Sequence, residues 1–439
     1  MNTFQPPLLL LVLNGNSGPS VWMILPFGIL LAAIALMPFI NKHWWEHHYH
    51  HVSAVLGALV LFYYVLGLHA GERMIHVGYE YLSFITLIGS LFVVAGGVHI
   101  RFRGESTPWQ NAAFLTAAAV LSNVIGTTGA SMLLIRPWIR MNKYRISAFH
   151  IVFFIFIVSN VGGALTPIGD PPLFLGYLKG VPFWWELQNL WQPWLLTIVL
   201  LVTVFYAFDR RSYMKAPEKI RAQAGEEDSW KFLGMHNLIF LAVILGSVFL
   251  ASPWREIIMV AAAAGSYFTT AAQVHGANEF NFAPIKEVAW LFLGIFATMV
   301  PALDYLALHA RDLGVDTALK FYFLTGSLSG VLDNAPTYLT FLTASISQHT
   351  AVDGHTLSLD NLRDLEAYTK LHGTELMAIS LGAVFFGAMT YIGNGPNFMV
   401  KSIADQSKVH TPGFFAYVIK YSLPILLPIL ALVGWIYFR

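Results

Sequence analysis

The chain has 439 residues, of which 56% are hydrophobic, 15% aromatic and only 11% charged. Soluble domains carry about 25% charged residues, so most of this surface must face lipid. The net charge of +1 carries no nucleic-acid signature, and the absence of cysteine excludes a disulfide framework, a thiolate metal site and a cysteine nucleophile.

A bilayer-spanning helix needs about 20 mostly apolar residues. Residues 1–20 hold a shorter apolar run, Leu8 to Leu13, with no Lys or Arg before it, and are expected to be an exposed or interfacial lead-in rather than a secretory signal. Plain spans are predicted at 21–40, 52–70 and 81–100. Residues 109–139 are apolar but interrupted at 122–129, and residues 148–178 break at 166–172. A plain span at 191–209 closes a first transmembrane repeat, 21–209. Residues 210–234 form a charged cytoplasmic linker, and a second repeat, 235–439, opens with spans at 235–251, 256–274 and 286–309. Residues 317–346 are interrupted at 327–330 and again at 333–337. A polar loop, 347–372, leads to an apolar stretch, 374–405, that breaks at 390–397, and a last span covers 413–437.

The arms of 109–139 and 317–346 are about 10–15 residues each, or roughly 15–22 Å. That is too short for a core about 30 Å thick, so each pair is expected to be a re-entrant hairpin. The other two broken stretches are expected to be spanning helices that unwind midway. Unwound backbone at membrane depth is tolerated only where protein or a water-filled cavity satisfies it, so the breaks mark places where solute or ion can sit.

The halves resemble each other. Val120-Leu121-Ser122-Asn123 lines up with Val331-Leu332-Asp333-Asn334, and Thr166-Pro167-Ile168-Gly169-Asp170 with Thr390-Tyr391-Ile392-Gly393-Asn394. The first span of each half starts at nearly the same spacing. Five crossings and one hairpin per half is an odd count, so the second half is expected to be inverted. Inverted repeats with discontinuous helices mark secondary transporters, with the site near the midplane. The expected fold class is thus an all-α polytopic membrane protein of two inverted repeats. Most of the 25 Lys and Arg residues fall on one side of this layout. The positive-inside rule makes that side cytoplasmic and places both termini outside the plasma membrane, the inner membrane of a bacterium.

An ionisable residue inside a membrane segment costs about 2.5–3.5 kcal/mol on insertion scales and is a functional candidate. Asp170 and Asp333 are the acidic residues in the central parts of the broken segments, and both stand at breaks. Each can also cap a half-helix. Around them Ser122, Asn123, Thr127, Thr128, Thr166, Asn334, Thr337, Thr390, Asn394 and Asn397 offer oxygen ligands that suit a hard cation such as sodium. Single Ser and Thr residues can equally serve helix packing or bond their own backbone. Gly169 and Gly393, beside Gly126, Gly129 and Gly395, permit close backbone approach. Residues 114–134, 151–178, 323–347 and 374–400 contain no Lys or Arg, which fits a cation or proton cargo better than a carboxylate one. Burial favours the protonated form of a carboxylate. A proton and a sodium ion would then compete for it, and alternating access would turn that competition into antiport.

His43, His47, His48, His50 and His51 cluster with Trp44, Trp45 and Glu46. They are expected in an interfacial segment, with Trp44 and Trp45 in an aromatic belt and a pH sensor or metal site as the alternative. Trp184, Trp185, Trp191 and Trp194 suggest the same belt on the outer face. Glu287 and Asp304 are expected near the interfaces. No P-loop, dinucleotide motif or nucleophile elbow is present, which disfavours an ATP-driven pump or a hydrolase. No cofactor is expected beyond sodium as the transported or coupling ion. A channel is disfavoured by the pairing of a hairpin with a broken helix in each half.

The run Asn160-Val161-Gly162-Gly163-Ala164-Leu165-Thr166-Pro167-Ile168-Gly169-Asp170-Pro171-Pro172 and the segment Leu332-Asp333-Asn334-Ala335-Pro336 resemble motifs of the ion-transporter superfamily. That superfamily includes NhaD-type sodium/proton antiporters, arsenite permeases and citrate transporters. The resemblance covers about 21–437. It implies a homodimer with a fixed scaffold and a moving transport domain bearing the hairpins. It points to Ser122-Asn123, Asp333-Asn334, Gly169-Asp170 and Gly393-Asn394 as the ion site, with Asp170 and Asp333 holding sodium. Dicarboxylate members carry Ser-Asn-Thr in both halves; here Ser122-Asn123-Val124 and Asp333-Asn334-Ala335 depart from it. The expected activity is sodium/proton antiport, with sodium- or proton-coupled transport of citrate or another organic anion as the alternative.

Overall fold

A computed structural model describes residues 18–103, 106–215, 229–309, 314–350, 356–359 and 361–439. The lead-in falls outside these residues except for its last three, as does the middle of the linker. Helices α1 (Leu25–Ile40), α2 (Lys42–Phe62) and α3 (Gly71–Gly96) come first. Asn41 separates the first two and caps α2, its Oδ1 accepting from Trp44 N at 3.0 Å. The histidine cluster therefore forms the opening turns of α2, not a segment between spans. Trp45 is buried, unlike Trp44, so only one of the pair faces outward. Helix α3 starts ten residues before the expected span because its first turns carry Arg73 inward, where it meets Asp304.

Strand β1 (His99–Arg103) pairs antiparallel with β2 (Ser229–Leu233), His99 opposite Leu233. This ribbon was not legible in the sequence, where 99–103 reads as a span end and 229–233 as linker. Helix α4 (Pro108–Met141) begins with a capping box of Thr107 and Gln110. A straight helix of its 34 residues would be about 51 Å long. Instead its ends meet: Ser106 N donates to Met141 O at 2.9 Å, and Asn111 Nδ2 to Asn142 Oδ1 at 2.7 Å. The chain turns back at Gly126, whose φ of 76° and ψ of 154° only glycine adopts readily. The expected eight-residue interruption is thus a single residue.

Helix α5 (Ala148–Ile157) gives way to irregular chain and a 3-10 turn, Val161–Leu165, before α6 (Pro171–Lys179). The break starts well before Thr166. Helix α7 (Trp185–Lys215) closes the first half. Past the linker the chain continues with further helices. It has α8 (Asn237–Ser247), α9 (Trp254–Thr269), the short α10 (Ala272–Ala277) and the long α11 (Ala283–His309). Then come the pair α12 (Ala318–Ser329) and α13 (Asn334–Ile346), packed on each other across residues 330–333. Helix α14 (Leu362–Leu371) lies in the expected polar loop and meets α15 (Gly373–Phe386) at a 95° bend. A 3-10 turn, Gly387–Met389, and irregular residues 390–394 separate α15 from α16 (Gly395–Gln406). Helices α17 (Phe414–Tyr417) and α18 (Leu427–Phe438) run together through a π-helical stretch.

Eight described helices are long and apolar enough to cross a bilayer, and the protein is an integral membrane protein. The helices sort into two groups by their packing. Helices α1, α2, α3, α8, α9 and α11 pack on one another. The hairpins, the broken helices, α7 and α18 form the second group. Within it α13 packs on α6 and α16 on α4, so the hairpin of each half meets the broken helix of the other. Each group holds a buried ion pair. In the first, Arg73 Nη2 is 2.8 Å from Asp304 Oδ1, and Tyr64 donates to Asp304 Oδ2 at 2.8 Å. Asp304 is 1% exposed and stands near the end of α11. In the second, Asp209 pairs with Arg145 and accepts from Asn111 Nδ2 at 2.8 Å, with His150 Nε2 at 3.1 Å.

Candidate functional site

Four helix beginnings converge where the hairpins meet the broken helices. Asp170 precedes α6, Asn334 opens α13, Asn394 precedes α16, and Thr127 starts the returning arm of α4. Helix N-termini present unpaired N–H groups and partial positive charge. At their meeting point stands the Asp170 carboxylate, 1% exposed. It makes no side-chain cap to its own helix. Its Oδ1 accepts from Thr127 Oγ1 at 2.7 Å and from Asn394 Nδ2 at 3.1 Å, and its Oδ2 from Asn334 Nδ2 at 2.5 Å. Both hairpins and both broken helices therefore each give one group to a single contact set.

All three donors are neutral. A carboxylate has about four lone-pair positions, so Oδ2 keeps one free. The other end of the Asn334 amide is also free: its buried Oδ1 has no hydrogen-bond donor among the described residues. Its orientation follows from Asp170, since only the NH₂ end can face a carboxylate. A buried acceptor without a donor is costly, and amide and carboxylate oxygens are the ligand type that a hard cation takes.

Asp333 plays a different part. Its carboxylate caps α13, Oδ1 accepting from Ala335 N at 3.0 Å, so the capping alternative is realised here. It also lines a cavity of about 30 Å³ with Thr128, Asn394 and Pro171. A second cavity, of about 20 Å³, lies on the other side of Thr128, against Thr127, Pro167 and Gly169. Either holds a water molecule or a bare cation. Sites for drug-sized organic ligands run to about 300–1,000 Å³.

Residues 16–438 match the family described as putative citrate transport. The chain belongs to that family. It is also 23% identical over 323 residues to an uncharacterized transporter of Mycobacterium bovis and to one of Mycobacterium tuberculosis, spanning 70% of this chain and 71% of each relative. A transporter of this family thus carries the Asp170 cluster, and its remaining candidate residues fall into place around it.

Several of them hold backbone rather than facing the carboxylate. Ser122 Oγ bonds Ala118 O and Val158 O, both at 2.9 Å, tying the first hairpin to the start of the break. Asn123 Oδ1 accepts from Leu165 N at 2.8 Å, and Thr166 Oγ1 donates to Asn123 O at 2.6 Å. Thr337 Oγ1 bonds Asp333 O at 2.9 Å, and Thr390 Oγ1 accepts from Gly393 N at 3.0 Å. Gly169 O accepts from Thr127 N at 2.7 Å, and a Cβ on Gly169 would lie 2.1 Å from Gly163 O. Asn397 Nδ2 satisfies Gly387 O at 2.9 Å and Thr390 O at 3.0 Å.

Two contributions were not anticipated. Asn160 Nδ2 donates to Asn397 Oδ1 at 2.7 Å, and its Oδ1 accepts from Asn394 Nδ2 at 3.2 Å, so one amide joins the two breaks. A lone amide at the end of the apolar run 148–159 was the available signal. Trp194 Nε1 donates to Gly162 O at 3.1 Å, so this tryptophan serves the unwound backbone instead of an aromatic belt. Trp185 is also buried, while Trp184 and Trp191 are exposed. Glu186 is fully buried, and neither carboxyl oxygen has a hydrogen-bond partner among the described residues.

Proposed function

We propose that this transporter exchanges sodium for protons by alternating access, with the two cations competing for Asp170. The observation that carries the reading is the company Asp170 keeps: full burial, three neutral donors, and no cationic partner among the described residues. A bare buried carboxylate is strongly disfavoured unless a counter-charge joins it. A proton supplies that charge by making the acid neutral. A sodium ion supplies it by binding Asp170 Oδ2 with Asn334 Oδ1 and neighbouring oxygens. Occupation by one removes the need for the other. Two small cavities lined by neighbours of Asp170 in the chain and in its contact set, Gly169, Pro171, Thr127 and Asn394, have room for ions of this size.

In this reading the halves are inverted repeats, each with a re-entrant hairpin, and both termini lie outside the plasma membrane. The first helix group is the scaffold of a homodimer, and the second carries the ions across. The denser packing within the first group supports that division, with α3 and α11 making the contacts to the second group.

A second reading, sodium- or proton-coupled transport of citrate or another organic anion, is favoured by the description of the family. Convergent helix N-termini also suit a carboxylate ligand. Proteoliposomes loaded with a pH-reporting dye separate the two. Antiport requires that a sodium pulse moves protons with no organic anion present. Proton movement or uptake that appears only when citrate is added overturns antiport in favour of the second reading.

A further inference from the structure

We propose that His349, His372 and Glu375 form a site for a transition-metal dication of the zinc class, clamping the end of α13 to the elbow between α14 and α15. His349 follows the last turn of α13. His372 is the one residue between α14 and α15, at their 95° bend, and Glu375 lies in the first turn of α15. The nitrogen and oxygen ligand atoms of the three side chains all lie within 4.8 Å of one another. His349 Nε2 is 3.0 Å from Glu375 Oε2, and His372 Nδ1 is 3.6 Å from Glu375 Oε1. Tetrahedral zinc with bonds of about 2.0–2.2 Å keeps neighbouring ligand atoms about 3.3 Å apart, close to these two separations, each of which is to a different Glu375 oxygen.

Two further features suit a metal, once one of the two imidazole rings, which stack with centroids 3.5 Å apart and planes 20° from parallel, turns so that both ring nitrogens point at one ion. Ser345 Oγ donates to Glu375 Oε2 at 2.5 Å and lies 2.6 Å from the Tyr368 hydroxyl. Outer contacts of this kind hold the ligands of metal sites in position. The side chains of His349, His372 and Glu375 are 23%, 28% and 19% exposed, so an ion can enter and water can complete its coordination. Two imidazoles and one carboxylate favour zinc, nickel or cobalt over magnesium or calcium, which prefer oxygen ligands.

The site shares no residue with the Asp170 cluster, yet both elements it joins lead there. Helix α13 begins at Asn334, and α15 runs into the break that ends at Asn394. A bound dication fixes their far ends relative to each other. The inference does not depend on which solute is carried.

The test uses the full-length protein without a histidine tag, in detergent, with His43, His47, His48, His50 and His51 changed to Gln so that α2 contributes no zinc sites. Zinc titrated into this background in a calorimeter is expected to bind at one equivalent per chain and to raise the unfolding temperature. Magnesium at the same concentration is expected to do neither. His372→Gln and His349→Gln are expected to abolish both effects while unfolding at the background temperature without metal. Ser345→Ala is expected to weaken zinc binding about 10-fold. A background protein that binds no zinc overturns the site, as does a H349Q/H372Q variant that binds it as tightly. If the Gln variants unfold early without metal, Glu375→Gln replaces them, and unchanged zinc affinity there overturns the site equally.

Discussion

Asp209 and Asp170 lie in the same helix group, both buried to 1% exposure or less, and the chain treats them in opposite ways. Asp209 has a permanent cation in Arg145, with His150 and Asn111 filling its remaining positions. Among the described residues Asp170 has only Thr127, Asn334 and Asn394. Asp304 in the other helix group follows the Asp209 pattern, with Arg73 and Tyr64. A carboxylate whose counter-charge is a side chain cannot exchange it and is a structural fastening. A carboxylate held by neutral groups must draw its counter-charge from a proton or an ion, and that charge can be exchanged.

The largest test of this contrast is Asp170→Asn. Sodium-driven proton movement in proteoliposomes is expected to fall to the level of empty vesicles. The unfolding temperature in detergent is expected to hold, because the Asn334 amide can turn its free oxygen toward the new NH₂ group. Residual exchange above background would place the exchangeable charge elsewhere. Next is Asp209→Asn, which strands Arg145 in the interior. Loss of one partner of a buried ion pair costs about 3–5 kcal/mol, so the unfolding temperature should fall markedly, while exchange per folded molecule persists. The reverse pattern, stable but inactive, would break the distinction.

Asp333→Asn is expected to be intermediate. Asparagine caps a helix about as well as aspartate, so α13 should stay intact. Exchange should slow but remain measurable, because the cavity beside Asn394 loses one of its oxygen ligands. A loss equal to that of Asp170→Asn would make the two carboxylates equal partners. Ser122→Ala removes bonds to two carbonyls and should cost about 1 kcal/mol, seen as a small drop in unfolding temperature with exchange unchanged. The smallest effect is expected from Glu186→Gln. Both its oxygens lack donors among the described residues, so a neutral isostere should leave the unfolding temperature where it was. A large drop would show that Glu186 is ionised and paired.

Much of this arrangement was legible in the chain. The positions of the breaks followed from Gly, Pro, Asn and Asp interrupting apolar runs, and the repeated Thr-x-Ile-Gly motifs, ending in Asp170 and Asn394, marked two residues that meet at 3.1 Å. Thr127 and Asn334 were named as candidates and do touch Asp170. Ser122, Thr337 and Thr390 were named on the same grounds, yet their hydroxyls bond nearby backbone. Residue type and proximity to a break cannot tell these roles apart, because a threonine has one hydroxyl and its rotamer decides where that hydroxyl points. Asp304 shows the limit from the other side. It reads as an end-of-span acid until Arg73, more than two hundred residues earlier in the chain, is folded against it.

By itself the sequence determined the class of molecule and which apolar stretches are interrupted, since these depend on local composition and on backbone chemistry in lipid. It also determined that no lysine or arginine stands in the central segments. Only the tertiary structure decided that one carboxylate, Asp170, collects a donor from each of the two hairpins and from the second break, while Asp333 turns to its own helix. That choice rests on contacts between residues 43 to 224 positions apart. Periodicity and spacing carry no information about such contacts until the halves are packed.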